Sequence, residues 1–159
     1  GRALRALCQA SAVVGGVVLI GIALMTLASV LGRVLWSSPI QGDVEMVQLA
    51  CAVGIACFLP YTQWQGGNII VDFFTTWASR QAQRRLDALG ALTVGVVAGL
   101  ICWRTAGGGM AAYANEETSM LMAIPIWIPY LLMTPGLLLT ALVSLYVAWR
   151  QLAAGDPRE

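Results

Sequence analysis

Long apolar runs separated by short polar breaks organise this chain, and each run is about as long as a bilayer interior is thick. A helix needs about 20 predominantly apolar residues to cross the hydrocarbon layer. The first run covers about 7–36, and only Arg33, near its far end, carries charge. Ser37, Ser38 and Pro39 break it, because a proline biases its predecessor away from helical geometry. The second run covers about 43–65. Asp43 is expected as its N-cap, and Glu45 in the first turn suits the positive end of the helix dipole. Pro60 is expected to kink this helix, and Gly66 suits a left-handed cap at its end.

A different pattern follows over about 68–80. Ile69, Ile70, Phe73, Phe74 and Trp77 fall on one side of a helical wheel, with Asp72, Thr75, Thr76 and Ser79 opposite. With Asn68 as its cap, such a helix lies in the membrane interface, apolar face down, or packs that face on protein. The third span is expected at about 86–106 and contains a GxxxG pair, Gly95 and Gly99, of the kind that lets helix backbones approach closely in lipid. Gly107, Gly108 and Gly109 are expected to loosen the chain, leaving residues 110–122 as a loop or frayed helix end. The fourth span is expected at about 125–149, with Pro125 in its first turn and a kink near Pro135. The polar tail over residues 150–159 is expected to be disordered.

Composition agrees with lipid as the main solvent. Hydrophobic residues make up 58% of the 159 and charged residues 11%, against roughly 25% charged in ordinary soluble domains. The length fits one domain over residues 1–159. Arg2 and Arg5 before a long apolar run resemble a secretory signal, but the uncharged stretch exceeds the roughly 7–15 residues of a signal core and reads as a span. The chain opens on Gly1, so a short native N-terminal piece is expected to precede it. Four spans put Arg2, Arg5, Arg80, Arg84, Arg85, Arg150 and Arg158 on one side. Asp43, Glu45, Glu116 and Glu117 fall on the other, with Arg33 and Arg104 near its boundary. The excess of arginine predicts that both termini are cytoplasmic. The expected fold is therefore an all-α integral membrane protein: four transmembrane helices, an amphipathic interfacial helix between spans two and three, and a bacterial inner-membrane location.

The residues absent from the chain narrow its chemistry. With no His, there is no imidazole for haem, for most zinc sites or for general base catalysis. All nine basic residues are Arg, so a Schiff-base lysine and a P-loop lysine are excluded. Cys8, Cys51, Cys57 and Cys102 form no CxxC pair and sit in apolar runs, as buried inert thiols do. No cofactor and no catalytic, metal or substrate-binding residue is expected, and a net charge of +1 makes nucleic acid an unpromising partner. Arg33 and Glu45, at adjoining span ends, read as an ion pair closing the first hairpin or as a charge pair shown to a partner. Arg104 either snorkels to the outer interface or pairs with Glu116 or Glu117. Near midplane the chain offers only Gln48, Thr93 and Thr134, too little for a self-sufficient carrier.

Four segments in order carry a resemblance. They are "SVLGRVLW" with Arg33, "GDVEMVQLA" with Glu45, "GNIIVDFF" with Asp72, and "SMLMAIPIWIPYLLMTPGLLL" with Pro125, Pro135 and Gly136. Over nearly its whole length the chain resembles the DctQ-like small membrane subunit of tripartite ATP-independent periplasmic (TRAP) transporters. It departs from that family where Asn68 stands in place of a common His, and where Asp43-Val44-Glu45 replaces an aromatic-acidic pair. The resemblance implies two protein partners: a large membrane subunit that moves substrate inward with sodium, and a periplasmic substrate-binding protein that captures a carboxylate or sulfonate. It implies a non-catalytic scaffold role for the small subunit in the bilayer. The competing readings are a small homodimeric carrier, for which Glu45 is the sole candidate carboxylate, and an anchor subunit of another membrane complex.

Overall fold

The computed structural model describes residues 2–36, 42–66 and 80–153. Within them lie four helices: α1 (Arg2–Trp36), α2 (Asp43–Trp64), α3 (Arg80–Ala114) and α4 (Trp127–Ala153). All four are long and apolar enough to cross a membrane. The expected interfacial helix over about 68–80, with Asn68, Ile69, Ile70, Asp72, Phe73, Phe74 and Trp77, lies outside the described residues except for Arg80, which opens α3.

Cross-helix contacts fix the directions. Ser11 of α1 donates to the Cys57 carbonyl of α2 at 2.7 Å, and Ser29 donates to Asp43 at 2.7 Å, so α1 and α2 run antiparallel. Cys102 of α3 lies 3.7 Å from the Thr134 carbonyl of α4, and Tyr113 meets Trp127 edge-on at 5.7 Å, again antiparallel. Helices α2 and α4 run parallel: Gly136 sits against Ala56, and Trp64 stacks on Tyr146 at 6.0 Å. The start of α1 and the end of α4 therefore share one end of the molecule.

The helices stand as a curved row, α1–α2–α4–α3. Among the described residues α3 touches α4 alone, and α1 touches α4 only slightly. Burial is greatest in α4, at 39% of its span, and least in α1, at 11%. Val13, Val17, Ile20 and Leu24 of α1 are all more than half exposed, a surface suited to lipid and not to water. Aromatic residues mark both ends, Tyr113 and Trp127 at one and Trp64 and Tyr146 at the other, as at the two interfaces of a bilayer.

Glycines let the row close up. A Cβ on Gly15 would stand 3.0 Å from Cys57 Cβ and from the Gly54 carbonyl oxygen, while one on Gly54 would stand 2.9 Å from Leu19. The tightest crossing joins α2 to α4. Pro60 of α2 has no N–H, which leaves the Ala56 carbonyl without its helical donor. Gly136 covers that carbonyl: its missing side chain would begin 2.8 Å from the Ala56 carbonyl carbon. Ser11 of α1 serves the next carbonyl, Cys57. The turn disturbed by Pro60 thus becomes the place where both neighbours attach.

Several boundaries differ from the sequence expectation, beginning with α3, which starts at Arg80 in place of about 86. Helix α3 passes through Gly107, Gly108 and Gly109 to Ala114, and Tyr130 of α4 packs where side chains on Gly108 and Gly109 would start. It stops instead in a left-handed turn at Glu116 (φ 50°), where Glu116 N–H bonds the Tyr113 carbonyl and Glu117 N–H bonds the Ala112 carbonyl. Pro125 is not in α4. It pairs with Thr118 in a small hairpin, with Ser119 N–H on Ile124 O at 2.9 Å and Ile126 N–H on Glu117 O at 3.0 Å. Pro129 occupies the first turn of α4 instead, where no amide donor is required. The chain from Arg150 to Ala153 continues as helix.

Candidate functional site

Among the described residues, an ion pair lies where the end of α1 meets the start of α2. Gly42 takes a left-handed conformation (φ 76°), so α2 begins at Asp43 and no side chain caps it. Asp43 is thereby the first helical residue and not the cap, and it faces α1. One of its oxygens accepts from the fully buried Ser29 hydroxyl at 2.7 Å, and the other from the Val44 N–H at 2.7 Å. Arg33 reaches the same carboxylate at 3.7 Å. The arginine expected to pair with Glu45 therefore pairs two residues earlier. Its side chain is 61% exposed against 17% for Asp43, so Asp43 is the fixed member and Arg33 the solvated one.

Glu45 has another role. Positions 43 and 45 point in nearly opposite directions on a helix, and Glu45 turns to the 118–125 hairpin, accepting the Met122 N–H at 3.3 Å. Met122 also lies over Gly42, within 2.8 Å of where a Cβ would start. Ser29, Arg33, Asp43, Glu45 and the hairpin thus tie α1, α2 and the α3–α4 connection into one end-cap. Met120 at its tip is fully exposed.

The other expected residues are placed as follows. Gly95 and Gly99 both face α4: a Cβ on Gly95 would lie 3.2 Å from Ser144 Cβ, and one on Gly99 4.0 Å from Ala141 Cβ. The GxxxG pair is thus spent inside this chain. Pro135 sits within α4 without ending it, beside Thr134, whose hydroxyl donates to the Tyr130 carbonyl at 2.7 Å. Arg104 is exposed, and Glu117 accepts from Asn115 at 3.3 Å in place of the expected arginine. Gly136 and Ser11 carry the helix crossings but were not singled out as contacts by sequence. The signal that could have found Gly136 is Pro60, which leaves the Ala56 carbonyl without its helical donor and open to a close neighbour.

Among the described residues, two clefts on the row are apolar. One of about 590 Å³ lies between α3 and α4, lined by Met110, Tyr113, Trp127, Tyr130 and Leu131 among others. The second, of about 440 Å³, is bounded by α1, α2 and α4, with Val17, Met25, Met46, Ala50 and Ile128 on its walls. Neither gathers the polar groups that would fix a charged solute. Among the described residues no group of His, Cys, Asp or Glu could hold a metal ion, and the four cysteines are free.

Such a molecule is a multi-pass helical membrane protein whose surfaces suit neighbours and lipid. The family model for "Tripartite ATP-independent periplasmic transporters, DctQ component" matches residues 22–154. The chain belongs to that family, as a small permease subunit of a TRAP-type transporter. No curated protein and no solved structure matches it significantly.

Proposed function

We propose that this chain is the non-catalytic scaffold of a sodium-coupled, binding-protein-dependent transporter for organic acids, carboxylates or sulfonates, in the bacterial inner membrane. What supports the reading is the open row of helices: four spans, and two clefts among the described residues whose walls are apolar. A carrier must enclose its substrate between moving parts near midplane. A row with two lipid-facing sides instead offers a fixed wall for a larger subunit to move against. With termini cytoplasmic, the end-cap of Asp43, Glu45 and the 118–125 hairpin faces the periplasm, on the side from which a binding protein arrives. The amphipathic stretch around Ile70, Phe73 and Phe74 would set the depth of the scaffold at the opposite interface.

Reconstitution tests this. Vesicles holding this chain together with its large subunit and binding protein should take up an organic acid when an inward sodium gradient is imposed. Vesicles lacking this chain should show little uptake. Solute transport by this chain alone would overturn the scaffold reading.

A further inference from the structure

Among the described residues, Arg104 is a charge within a span that no contact of this chain accounts for. Arg104 follows Cys102 on α3 by two residues, and Cys102 faces the Thr134 carbonyl of α4. Two residues turn a helix by about 200°, so Arg104 points away from α4. It is exposed on the same face as Val97, Leu100 and Ala111. Among the described residues no carboxylate lies within ion-pair range of it: Asp43 holds Arg33, Glu45 holds the Met122 amide and Glu117 holds Asn115.

Depth makes this exposure notable. The pairs Gly99–Ala141 and Cys102–Thr134 put Arg104 level with Pro135 of α4. At 1.5 Å per residue, that level is about 12 Å from Trp127 and about 22 Å from Arg150. On α3 itself the helix continues about 15 Å beyond Arg104 before it ends at Ala114. Through Gly136 and Ala56, the same level lies about 18 Å from Asp43 on α2. A hydrocarbon core of about 30 Å therefore has Arg104 in its middle third. An arginine stem of six bonds reaches about 7 Å. Its Cα–Cβ bond tilts toward the helix N-terminus, away from the nearer interface. Neither route brings the guanidinium to water.

We propose that Arg104 is an intramembrane docking point, held by a carboxylate that the large permease subunit presents from one of its own spans at that depth. The inference rests on the scaffold reading above and adds where the two subunits are locked. An ionised group at such a depth persists only with a partner. The planar fork of Arg fits a carboxylate through two parallel hydrogen bonds in a way that an ammonium does not. The α4-facing stripe of α3 is engaged within this chain at Gly95, Cys102 and Gly109, so the opposite face, with Arg104 at its middle, is the one left for a second chain.

The test is recovery of the large subunit on the tagged small subunit after co-expression and extraction in mild detergent. Arg104→Leu and Arg104→Gln should lower recovery by about tenfold or more, with Arg104→Lys intermediate. The melting temperature of the small subunit alone should not fall, since nothing within it uses this charge. Undiminished recovery with Arg104→Leu would overturn the docking point while leaving the scaffold reading intact. So would full recovery with Arg104→Lys beside loss with Arg104→Leu, which is the signature of a cation reaching lipid phosphate. Failure of the unaltered chain to recover any large subunit would sink both.

Discussion

At the scale of single residues, two glycines that look alike within their apolar runs can differ completely in consequence. A Cβ at Gly136 meets the backbone of Ala56 and Cys57, at 2.8 Å from a carbonyl carbon and 3.3 Å from an amide nitrogen, and backbone cannot rotate aside. Gly136→Ala should therefore force α4 off α2 and cost about 1–3 kcal/mol, as overpacking does. Gly16 has nothing within 4 Å of the corresponding position. Gly16→Ala should be neutral or stabilising by up to about 1 kcal/mol through helix propensity. Thermal unfolding in detergent measures both, and equal melting temperatures for the two variants would refute the crossing. Sequence could not rank these positions, because the partner of Gly136 is set by Pro60 on another helix. The charges were legible in part for a similar reason. Arg33 near Asp43 and Glu45 announced a pair, but Gly42 starts the helix one residue before a capped start would, and that choice hands the arginine to Asp43.

Elements were read well where lipid dictates their length and poorly where water-based rules were applied to their ends. The four spans follow from apolar run length, which the bilayer sets independently of tertiary contacts. Three successive glycines break helices in water, which is why the sequence suggests an end to the third span near residue 106. In lipid an unpaired backbone group has no solvent to turn to, so the helix persists, and Gly108 and Gly109 serve as a socket for Tyr130. Gly109 is the tight position: a Cβ there would lie 2.9 Å from Tyr130 Cβ, whereas Gly107 has open space. Gly109→Val should splay the hairpin ends of α3 and α4 and lower the melting temperature, while Gly107→Val should change it little. Loss of the edge-on contact between Tyr113 and Trp127 gives an independent readout in Trp127 fluorescence, which should shift in the Gly109 variant alone. The true stop at Glu116 was hidden because a left-handed terminus usually shows itself by Gly or Asn.

The whole molecule is where sequence is least informative. Helices that are apolar all round give no stripe to show which side meets a neighbour, and exposed Val17 and Leu24 look no different from buried Val53 and Val143. Four spans with short connections suggest a closed bundle as readily as a row. The two arrangements differ in one contact, α1 against α3, which a bundle requires and the row lacks. Paired cysteines in a background with the four native ones replaced by Ala decide between them. A Cβ at Gly99 would stand 4.0 Å from Ala141 Cβ, within the usual span of about 3.5–4.5 Å for a disulfide. Gly99→Cys with Ala141→Cys should therefore oxidise readily within one chain. Gly21→Cys with Gly107→Cys sits at matched depth on α1 and α3, with α2 and α4 between them, and should not oxidise within one chain. An efficient intramolecular disulfide in the second pair would close the row into a bundle. It would also remove the open faces from which the scaffold role and the exposed position of Arg104 both follow, so this one oxidation bears on function as directly as on fold.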